Sequence, residues 1–271
     1  MLGNKAKTIA ALREKVAAYE TRPVLADTDR DSASPSLLAT PRGHVHEIFA
    51  DTLVNTGAAF GFALAQSRAM LSAERPGLLI LGLKSDAQEL GLPYALGFRA
   101  FGLDATAFVM IRTDTITELL WAMEEAIACR AVGAVIADVA SAHKALDFTA
   151  SRRLALRTAA SGASVFLVRY ARDREATAAR YRWRVEPQLS ASPPFDERAS
   201  GPPRWRLTLE KGSLANGRKA GPLGEQYLVD WTENGLVLAD IGSRDFARPP
   251  AVAPLSRPLP AALGDRLPQA G

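Results

Sequence analysis

Short apolar runs of strand length, separated by segments with helical character, are the feature that most constrains this chain. Five runs are each about as long as a buried parallel strand: His44–Ala50, Leu78–Leu83, Ala107–Ile111, Ala134–Ala137 and Ser164–Val168. Helical segments lie between them: Gly57–Leu71, a segment that begins at Thr115 with Glu118 at capping-box spacing, and roughly Ala145–Ala160. Repeated alternation of strand and helix predicts an α/β fold with a mostly parallel central sheet.

The pattern changes in the last third of the chain, where strict period-two alternation begins. Arg180–Val185 and Arg204–Leu209 each carry arginine at every second position, with aromatic and aliphatic residues between. Two further strands, Tyr227–Trp231 and Gly235–Ala239, are joined by a short turn that contains Asn-Gly. The sheet is therefore predicted to end in antiparallel strands.

Neither end of the chain shows the strand and helix pattern. Residues 1–20 are predicted to form an amphipathic helix, residues 21–41 a linker, residues 42–243 the core domain and residues 244–271 a disordered tail. The helix carries one apolar stripe, formed by Ile9, Leu12, Val16 and Tyr19. Because an isolated helix of this length is only marginally stable in water, the stripe is expected to pack on the protein's own body or on a partner.

Composition favours a cytoplasmic protein. No apolar run reaches the roughly 18 residues that a bilayer span needs, and the N-terminus lacks the apolar core and cleavage site of a signal peptide. The chain contains one cysteine, Cys129, which excludes an internal disulfide. The formal charge of +4 permits binding to a polyanion without requiring it. We therefore expect a cytoplasmic location and no membrane partner.

The order of strand, glycine-bearing loop, helix and later strand ending in aspartate is that of a phosphate-loop NTPase. Such a loop needs glycines, a lysine for the terminal phosphates and a hydroxyl for magnesium. From Ala50 onward, however, this chain reads Ala-Asp-Thr-Leu-Val-Asn-Thr-Gly-Ala-Ala. Only Gly57 remains, Ala58 and Ala59 stand where lysine and the hydroxyl belong, and Asp51 adds negative charge. The loop is therefore interpreted as degenerate.

Asp138 follows the apolar run Ala134–Ala137 and stands where such a fold holds magnesium through water. Acidic residues that only cap or solvate a turn are common at strand ends, so we interpret Asp138 as vestigial. The three histidines have no further ligand at a spacing typical of a metal site. We expect no catalytic residue, no bound cofactor or metal, and no ATPase activity.

Several segments together resemble the ImuA family. They are His46–Phe49, Gly102–Asp104, the helical segment Leu120–Ala126 with the sequence Leu-Trp-Ala-Met-Glu-Glu-Ala, and the two arginine-bearing strands. The likeness covers roughly Lys5–Asp240. The family consists of RecA-like accessory proteins of bacterial damage-induced mutagenesis, so the resemblance implies a RecA-like three-layer fold. Compared with RecA, Gly57 and Asp138 match and the two alanines after Gly57 do not.

The resemblance also implies a function and partners. Members of the family act in SOS-induced error-prone translesion DNA synthesis with ImuB, a Y-family polymerase homologue, and with an error-prone polymerase subunit; RecA and DNA are further candidate partners. The degenerate loop predicts that this chain is not an enzyme. Two alternatives stay open, namely a SulA-like cell-division inhibitor that acts on a tubulin-like filament protein, and a RecA-type ATPase with a divergent loop.

The alternating arginines are the strongest candidates for binding nucleic acid or a partner. If the two strands are neighbours, their guanidinium groups converge on one face with other cations nearby. The candidate residues are Arg180, Arg182, Arg184, Arg204, Arg206, Lys211, Arg218 and Lys219. The competing interpretation is that these arginines solvate an exposed strand face and pair with local carboxylates.

Overall fold

A mixed sheet of nine strands forms the centre of the protein. The structure is a computed structural model, and it describes residues 38, 40–104, 108–140, 142–172, 174–190, 199–214 and 224–239. The strands are β1 (Val45–Ala50), β2 (Gly77–Leu83), β3 (Phe108–Thr113), β4 (Val132–Val139), β5 (Ser164–Tyr170), β6 (Tyr181–Gln188), β7 (Arg204–Lys211), β8 (Glu225–Thr232) and β9 (Gly235–Leu238). The helices are α1 (Thr56–Met70), α2 (Lys84–Leu90), α3 (Ile116–Ala128) and α4 (Phe148–Ser161), with 3-10 helices at Leu53–Asn55 and Ala95–Phe101.

The strand order in the sheet is β3-β2-β4-β5-β1-β6-β7-β8-β9. The six strands from β3 to β6 run parallel to their neighbours, and β7, β8 and β9 are each antiparallel to the strand before them. The predicted α/β fold, mostly parallel with antiparallel strands at its C-terminal end, is confirmed. The first arginine-bearing strand, β6, still belongs to the parallel part because it pairs parallel with β1.

Helices cover both faces of the sheet. On the first face, α1 and the 3-10 helix Ala95–Phe101 pack on one apolar cluster that includes Ile48, Ile80 and Trp183. On the second face, α3 and α4 pack on another cluster that includes Leu81 and Val135. Strands covered on both faces read as continuous apolar runs rather than alternating ones, which explains the sequence of β2, all seven residues of which are buried.

The two helices on the second face begin at side-chain caps. The Thr115 hydroxyl accepts a hydrogen bond from the Glu118 backbone N–H, and the Glu118 carboxylate accepts one from the Asp114 backbone N–H, both at 3.2 Å. The predicted Thr115 cap is therefore confirmed, with its reciprocal arm one residue earlier than the capping box places it. Helix α4 begins with Asp147, which accepts a hydrogen bond from the Ala150 backbone N–H at 2.7 Å.

Aromatic side chains join the antiparallel half of the sheet to the first-face helices. Phe62 of α1 lies edge-on to Trp183 and Trp205, with ring centroids 5.7 and 6.1 Å apart. Phe101 lies 5.3 Å from Trp231. Trp183 and Trp205 are among the residues that alternate with arginine along β6 and β7, so the predicted division into a core face and a charged face is realised.

Two elements between β2 and β3 were not predicted, namely α2 and the 3-10 helix Ala95–Phe101. Glycine and proline interrupt this segment, so no helical period is visible in its sequence. Leu38 and Thr40, at the end of the predicted linker, are buried. The predicted N-terminal helix and the predicted tail lie outside the described residues, and the domain boundaries stay predictions. None of the described helices combines the length and hydropathy needed to cross a bilayer.

Candidate functional site at the carboxyl edge of the sheet

The carboxyl ends of the parallel strands meet at one edge of the sheet. On this edge, β1 and β5 send their connections to opposite faces of the sheet, and so do β2 and β4. Open α/β sheets hold ligands in crevices at such positions. Asp51 follows β1 and Asp138 lies near the end of β4, so the two predicted acidic residues mark these two places. Strand spacing puts them roughly 10 Å apart, because β5 lies between their strands.

Asp51 is held in an ion-pair network with residues from distant strands. Arg174, in the connection between β5 and β6, approaches the Asp51 carboxylate to 2.8 Å and the Glu210 carboxylate to 2.9 Å. Its guanidinium also lies 4.2 Å from the ring centre of the buried Phe49. Burial of Arg174 opposes its charge, but hydrogen bonds to Glu210 and Asp51 outweigh that effect and raise its pKa. The negative charge of Asp51 is therefore compensated from within the protein.

The degenerate loop is divided between three elements. Ala50 is the last residue of β1, and Gly57, Ala58 and Ala59 lie in the first turns of α1. Only residues 51–55 connect them, and the second half of this connection is a short 3-10 helix. Gly57 is the second residue of α1, and the space where a Cβ would lie is open. The connection contains no lysine, arginine or histidine.

Asp138 forms a second polar group with Tyr170, at the end of the neighbouring β5. The Tyr170 hydroxyl donates a hydrogen bond of 2.7 Å to the Asp138 carboxylate. Burial raises the pKa of Asp138 to about 6, although the bond from Tyr170 and the charge of Arg112 act in the opposite direction. Burial also raises the pKa of Tyr170, and the Asp138 charge adds to that effect. At neutral pH the proton of this hydrogen bond therefore stays on the Tyr170 hydroxyl, and Asp138 accepts it as a carboxylate.

Arg112, near the end of β3, places the only cation that acts on Asp138 among the described residues. Its guanidinium lies over Gly82, in the space that a Cβ would fill. Burial lowers the pKa of Arg112, while Asp138 and Asp86 partly restore it. Asp86 accepts a hydrogen bond of 2.8 Å from the Ala140 backbone N–H, so its carboxylate fixes the chain after β4. Arg112 therefore offsets one of the two carboxylate charges of this second group.

The described residues include no cluster of three or more histidine, cysteine, aspartate or glutamate side chains that could hold a metal ion. Asp51 and Asp138 stand in separate polar groups, and the described part of the chain brings no third carboxylate to either as a common ligand set. Among the described residues, this edge therefore carries no shared set of metal ligands.

The arginine face lies on the second face of the sheet, across β6 and β7, which are neighbours as anticipated. Each arginine within these strands lies beside a carboxylate. Arg204 makes a bidentate ion pair with the Asp230 carboxylate, with N–O distances of 2.5 and 2.8 Å, and Arg206 lies 3.5 Å from Glu186. Arg184 lies 3.5 Å from Glu186 and 3.9 Å from Asp51. Positive and negative groups therefore alternate across the surface.

Arg182 has a structural role at the inner end of this face. It contacts the Glu47 carboxylate at 2.8 Å, and Glu47 is only 1% exposed. The Thr177 hydroxyl donates to the same carboxylate at 2.8 Å, and Arg169 approaches it to 4.0 Å. Because Arg182 neutralises a buried charge, replacing it would test folding rather than binding.

The other predicted binding residues fall into two groups. Lys211 donates a hydrogen bond of 2.8 Å to the Thr177 backbone carbonyl, and burial, with Arg182 nearby, lowers its pKa. Arg180 is exposed just before β6. Arg218 and Lys219 lie outside the described residues, as do the stripe residues Ile9, Leu12, Val16 and Tyr19. The role of the whole set in binding stays a prediction.

Sequence reasoning missed the residues that neutralise the predicted acids. Arg174 lies in an irregular segment rich in charge, so nothing in its spacing distinguishes it from a solvated residue. Glu47 did carry a signal, since a glutamate inside a central parallel strand requires a buried partner. Tyr170 and Arg112 could be placed near Asp138 only once the strand order was known.

The chain is similar to Protein ImuA of Caulobacter vibrioides, strains NA1000 / CB15N and ATCC 19089 / CIP 103742 / CB 15. Identity to each is 33% over 138 residues, which is 47% of this chain and 54% of the relative. The chain thus matches about half the length of these relatives. No protein-family model matches it. The predicted resemblance to the ImuA family is confirmed.

Proposed function

We propose that this relative of Protein ImuA is a non-catalytic accessory protein of SOS-induced error-prone translesion synthesis, which acts by binding partners and does not turn over nucleotide. The single observation that carries the proposal is the ion pair between Arg174 and Asp51 at the end of β1. Ala58 stands where a phosphate loop would supply a lysine, Asp51 adds a carboxylate just after β1, and Arg174 pairs with that carboxylate.

Electrostatics supports the absence of nucleotide turnover. No lysine or arginine occurs between Val45 and Ser67, which spans β1, the connection and most of α1. A triphosphate placed at this helix N-terminus would meet the helix dipole and free backbone N–H groups, but also the Asp51 carboxylate. Dipole attraction of about 0.5 to 1 kcal/mol does not offset the loss of a lysine and the repulsion from a nearby carboxylate.

The alternation of charge on the arginine face supports a protein partner over the DNA backbone. A phosphate contact needs a cation that gains from neutralising it, whereas Arg204 and Arg206 already lie beside carboxylates. A protein surface with its own alternating charges can exchange such pairs with little net cost. We assign this face to ImuB, the Y-family polymerase homologue, within a cytoplasmic complex that includes an error-prone polymerase subunit. RecA and DNA are further candidate partners.

Nucleotide binding is the first test. Titration of the purified chain with ATP in the presence of magnesium, followed by calorimetry, is expected to give no saturable heat. The Asp138→Ala variant is expected to behave identically. Tight magnesium-dependent binding that Asp138→Ala abolishes would instead establish the divergent ATPase.

Partner capture is the second test. After DNA damage, affinity purification of the tagged chain is expected to recover the polymerase homologue, and deletion of the gene is expected to lower damage-induced mutation. Asp51→Asn and Asp138→Asn alleles are expected to restore mutation to the wild-type level. Inhibition of a tubulin-like filament protein by the chain, with no change in mutation frequency, would favour the SulA-like alternative.

A further inference from the structure

An apolar surface on the first face is left uncovered by the residues that the structure describes. Leu92, Tyr94 and Leu96 are 62%, 71% and 52% exposed, and Leu90 is exposed beside them. These four residues, here called the apolar strip, fall within seven consecutive positions. Single exposed apolar residues are ordinary, but a group of them is typical of a contact surface.

The strip stands on an anchored element. Phe98 is buried, with its ring 4.4 Å from Phe108 of β3 and 6.2 Å from Phe60 of α1. The Trp231 indole donates a hydrogen bond of 2.6 Å to the Ala100 backbone carbonyl. The inner side of the 3-10 helix Ala95–Phe101 is thus fixed to the core. Leu96 of the strip lies in this helix, and the other three strip residues precede it.

The chain contains a second apolar group that lacks a place in the described structure. The sequence of residues 5–19 predicts a helix with Ile9, Leu12, Val16 and Tyr19 along one stripe. The stripe therefore has four apolar side chains to bury, and the apolar strip presents four apolar side chains against which they could pack.

The path of the chain brings the stripe to the same face. Leu38 is buried in the first-face apolar cluster, and Arg42 donates a hydrogen bond of 3.2 Å to the Leu71 carbonyl at the end of α1. The 3-10 helix runs alongside α1, because Phe98 meets Phe60 and Gly102 meets Arg68. Eighteen residues separate Tyr19 from Leu38, and they span up to roughly 60 Å when extended. Helix α1 is about 22 Å long, so the strip is within reach.

We propose that the N-terminal segment, residues 5–19, packs its stripe on the apolar strip of the same chain. The tether favours this arrangement over pairing between two copies, because the eighteen residues between Tyr19 and Leu38 hold the two groups at an effective concentration of about 1 mM. Trp121 of α3 and Leu156 of α4 are also exposed, but their helices lie on the second face, whereas Leu38 belongs to the first-face cluster. This inference does not depend on the proposed function.

Cross-linking tests the contact in the full chain. In a Cys129→Ser background, Leu12→Cys is combined with Leu92→Cys, and a short bismaleimide is added at micromolar protein. We expect a monomeric product, with the two positions linked in its peptide map. The matched control combines Leu12→Cys with Leu156→Cys, whose leucine is 64% exposed on the second face. The strip pair is expected to react at least about tenfold faster, since docking raises the local concentration.

Equal rates for the two pairs would overturn the proposal. A mixture of Leu12→Cys protein with Leu92→Cys protein detects pairing between copies, and a dimeric product that forms faster than the monomeric one would also overturn it. A second readout is independent of cysteine. Leu12→Asp with Val16→Asp is expected to raise the fluorescence of an apolar dye severalfold, and adding Leu92→Ser with Leu96→Ser is expected to remove that rise. No rise in the aspartate variant would count against the contact.

Discussion

Glu47 places a carboxylate inside a central parallel strand, where an unpaired charge is strongly unfavourable. Arg182 and the Thr177 hydroxyl each lie 2.8 Å from that carboxylate, and Arg169 lies behind it at 4.0 Å. The residues come from β5, from the connection after it and from β6, so the network fastens β1 to both of its neighbours. A buried ion pair adds little net stability, but the loss of one partner leaves a buried charge uncompensated.

Glu47→Gln is therefore expected to lower the free energy of unfolding by about 3 kcal/mol, because it leaves Arg182 and Arg169 without their carboxylate. Urea denaturation followed by tryptophan fluorescence measures this change. The control is Lys84→Gln, which breaks the exposed pair of Lys84 with Asp114 and is expected to cost about 0.5 kcal/mol or less. Equal effects of the two changes would show that the Glu47 network does not hold the strands together.

The candidate site shows what single residues reveal before the fold is known. The missing lysine could be recognised because a phosphate loop has a fixed spacing after its strand. The compensating cation could not, since Arg174 reaches Asp51 across more than a hundred positions of sequence. The paired arginines illustrate the same limit. Period two correctly separates Arg182 and Arg184 from the core, yet the Glu47 carboxylate beside Arg182 belongs to β1 and the Asp51 carboxylate near Arg184 follows β1.

At the scale of elements, two glycines differ in how closely other atoms approach their Cα. Gly57 lies in the first turn of α1, and a Cβ added there would have no neighbouring atom within 4 Å, whereas a Cβ on Gly133 of β4 would meet the Arg75 and Met70 carbonyl oxygens at 2.6 and 2.8 Å. Gly57→Ala is expected to raise the free energy of unfolding by about 0.5 to 1 kcal/mol through helix propensity. Gly133→Ala is expected to lower it by about 1 to 3 kcal/mol through overpacking.

Thermal or urea unfolding of the two variants measures these shifts. Gly57→Ala also bears on function, because a phosphate loop needs glycine where its backbone touches the ligand. The substitution is expected to leave damage-induced mutation unchanged. Loss of mutation in a variant that folds at least as stably would mean that a ligand approaches this backbone after all.

The elements that could be predicted from the sequence share one property. Burial gives each of them either a continuous apolar run or a regular spacing of apolar residues. The central strands are apolar because helices cover them on both sides, and β6 and β7 alternate because only their first face is covered. The order of the strands follows from no local signal, so neither the place of β1 between β5 and β6 nor the parallel direction of β6 could be read in advance. The 3-10 helix Ala95–Phe101 owes its position to Phe98 and Trp231, which are distant contacts.

For the molecule as a whole, the formal charge of +4 does not predict where a polyanion would bind. Arg184 and Arg206 share Glu186 as a partner at 3.5 Å, so we expect the double change Arg184→Gln and Arg206→Gln to leave DNA affinity nearly unaltered. Fluorescence anisotropy at several salt concentrations is the measurement. Each lost phosphate contact would reduce the slope of log affinity against log salt by about 0.9, so a reduction near 1.8 would place both arginines on DNA. Circular dichroism of the variant controls for folding.

Two buried groups make the stability of the whole protein depend on pH, and their effects have opposite directions. His46 lies between the rings of Phe166 and Tyr181, each 4.7 Å away, and burial lowers its pKa from 6.5 to about 3. Below pH 6.5 His46 takes up a proton in the unfolded chain but stays neutral in the folded chain. The contribution of His46 to stability therefore falls as pH falls. Burial raises the pKa of Asp138 from 3.8 to about 6. Below pH 6 the folded chain binds a proton there that the unfolded chain does not, so this contribution rises as pH falls.

Between pH 6 and pH 4 the two contributions oppose each other, each with a slope of about 1.4 kcal/mol per pH unit. Relative to the unmodified protein, Asp138→Asn is expected to lose stability as pH falls through this window, because only the His46 contribution remains. His46→Phe, which keeps a ring in the stack, is expected to gain stability over the same window. Urea midpoints at pH 6, 5 and 4 measure both differences, and groups that the variants share cancel. Parallel curves for the three proteins would mean that neither side chain is buried in its folded state as the geometry of β1 and β4 requires.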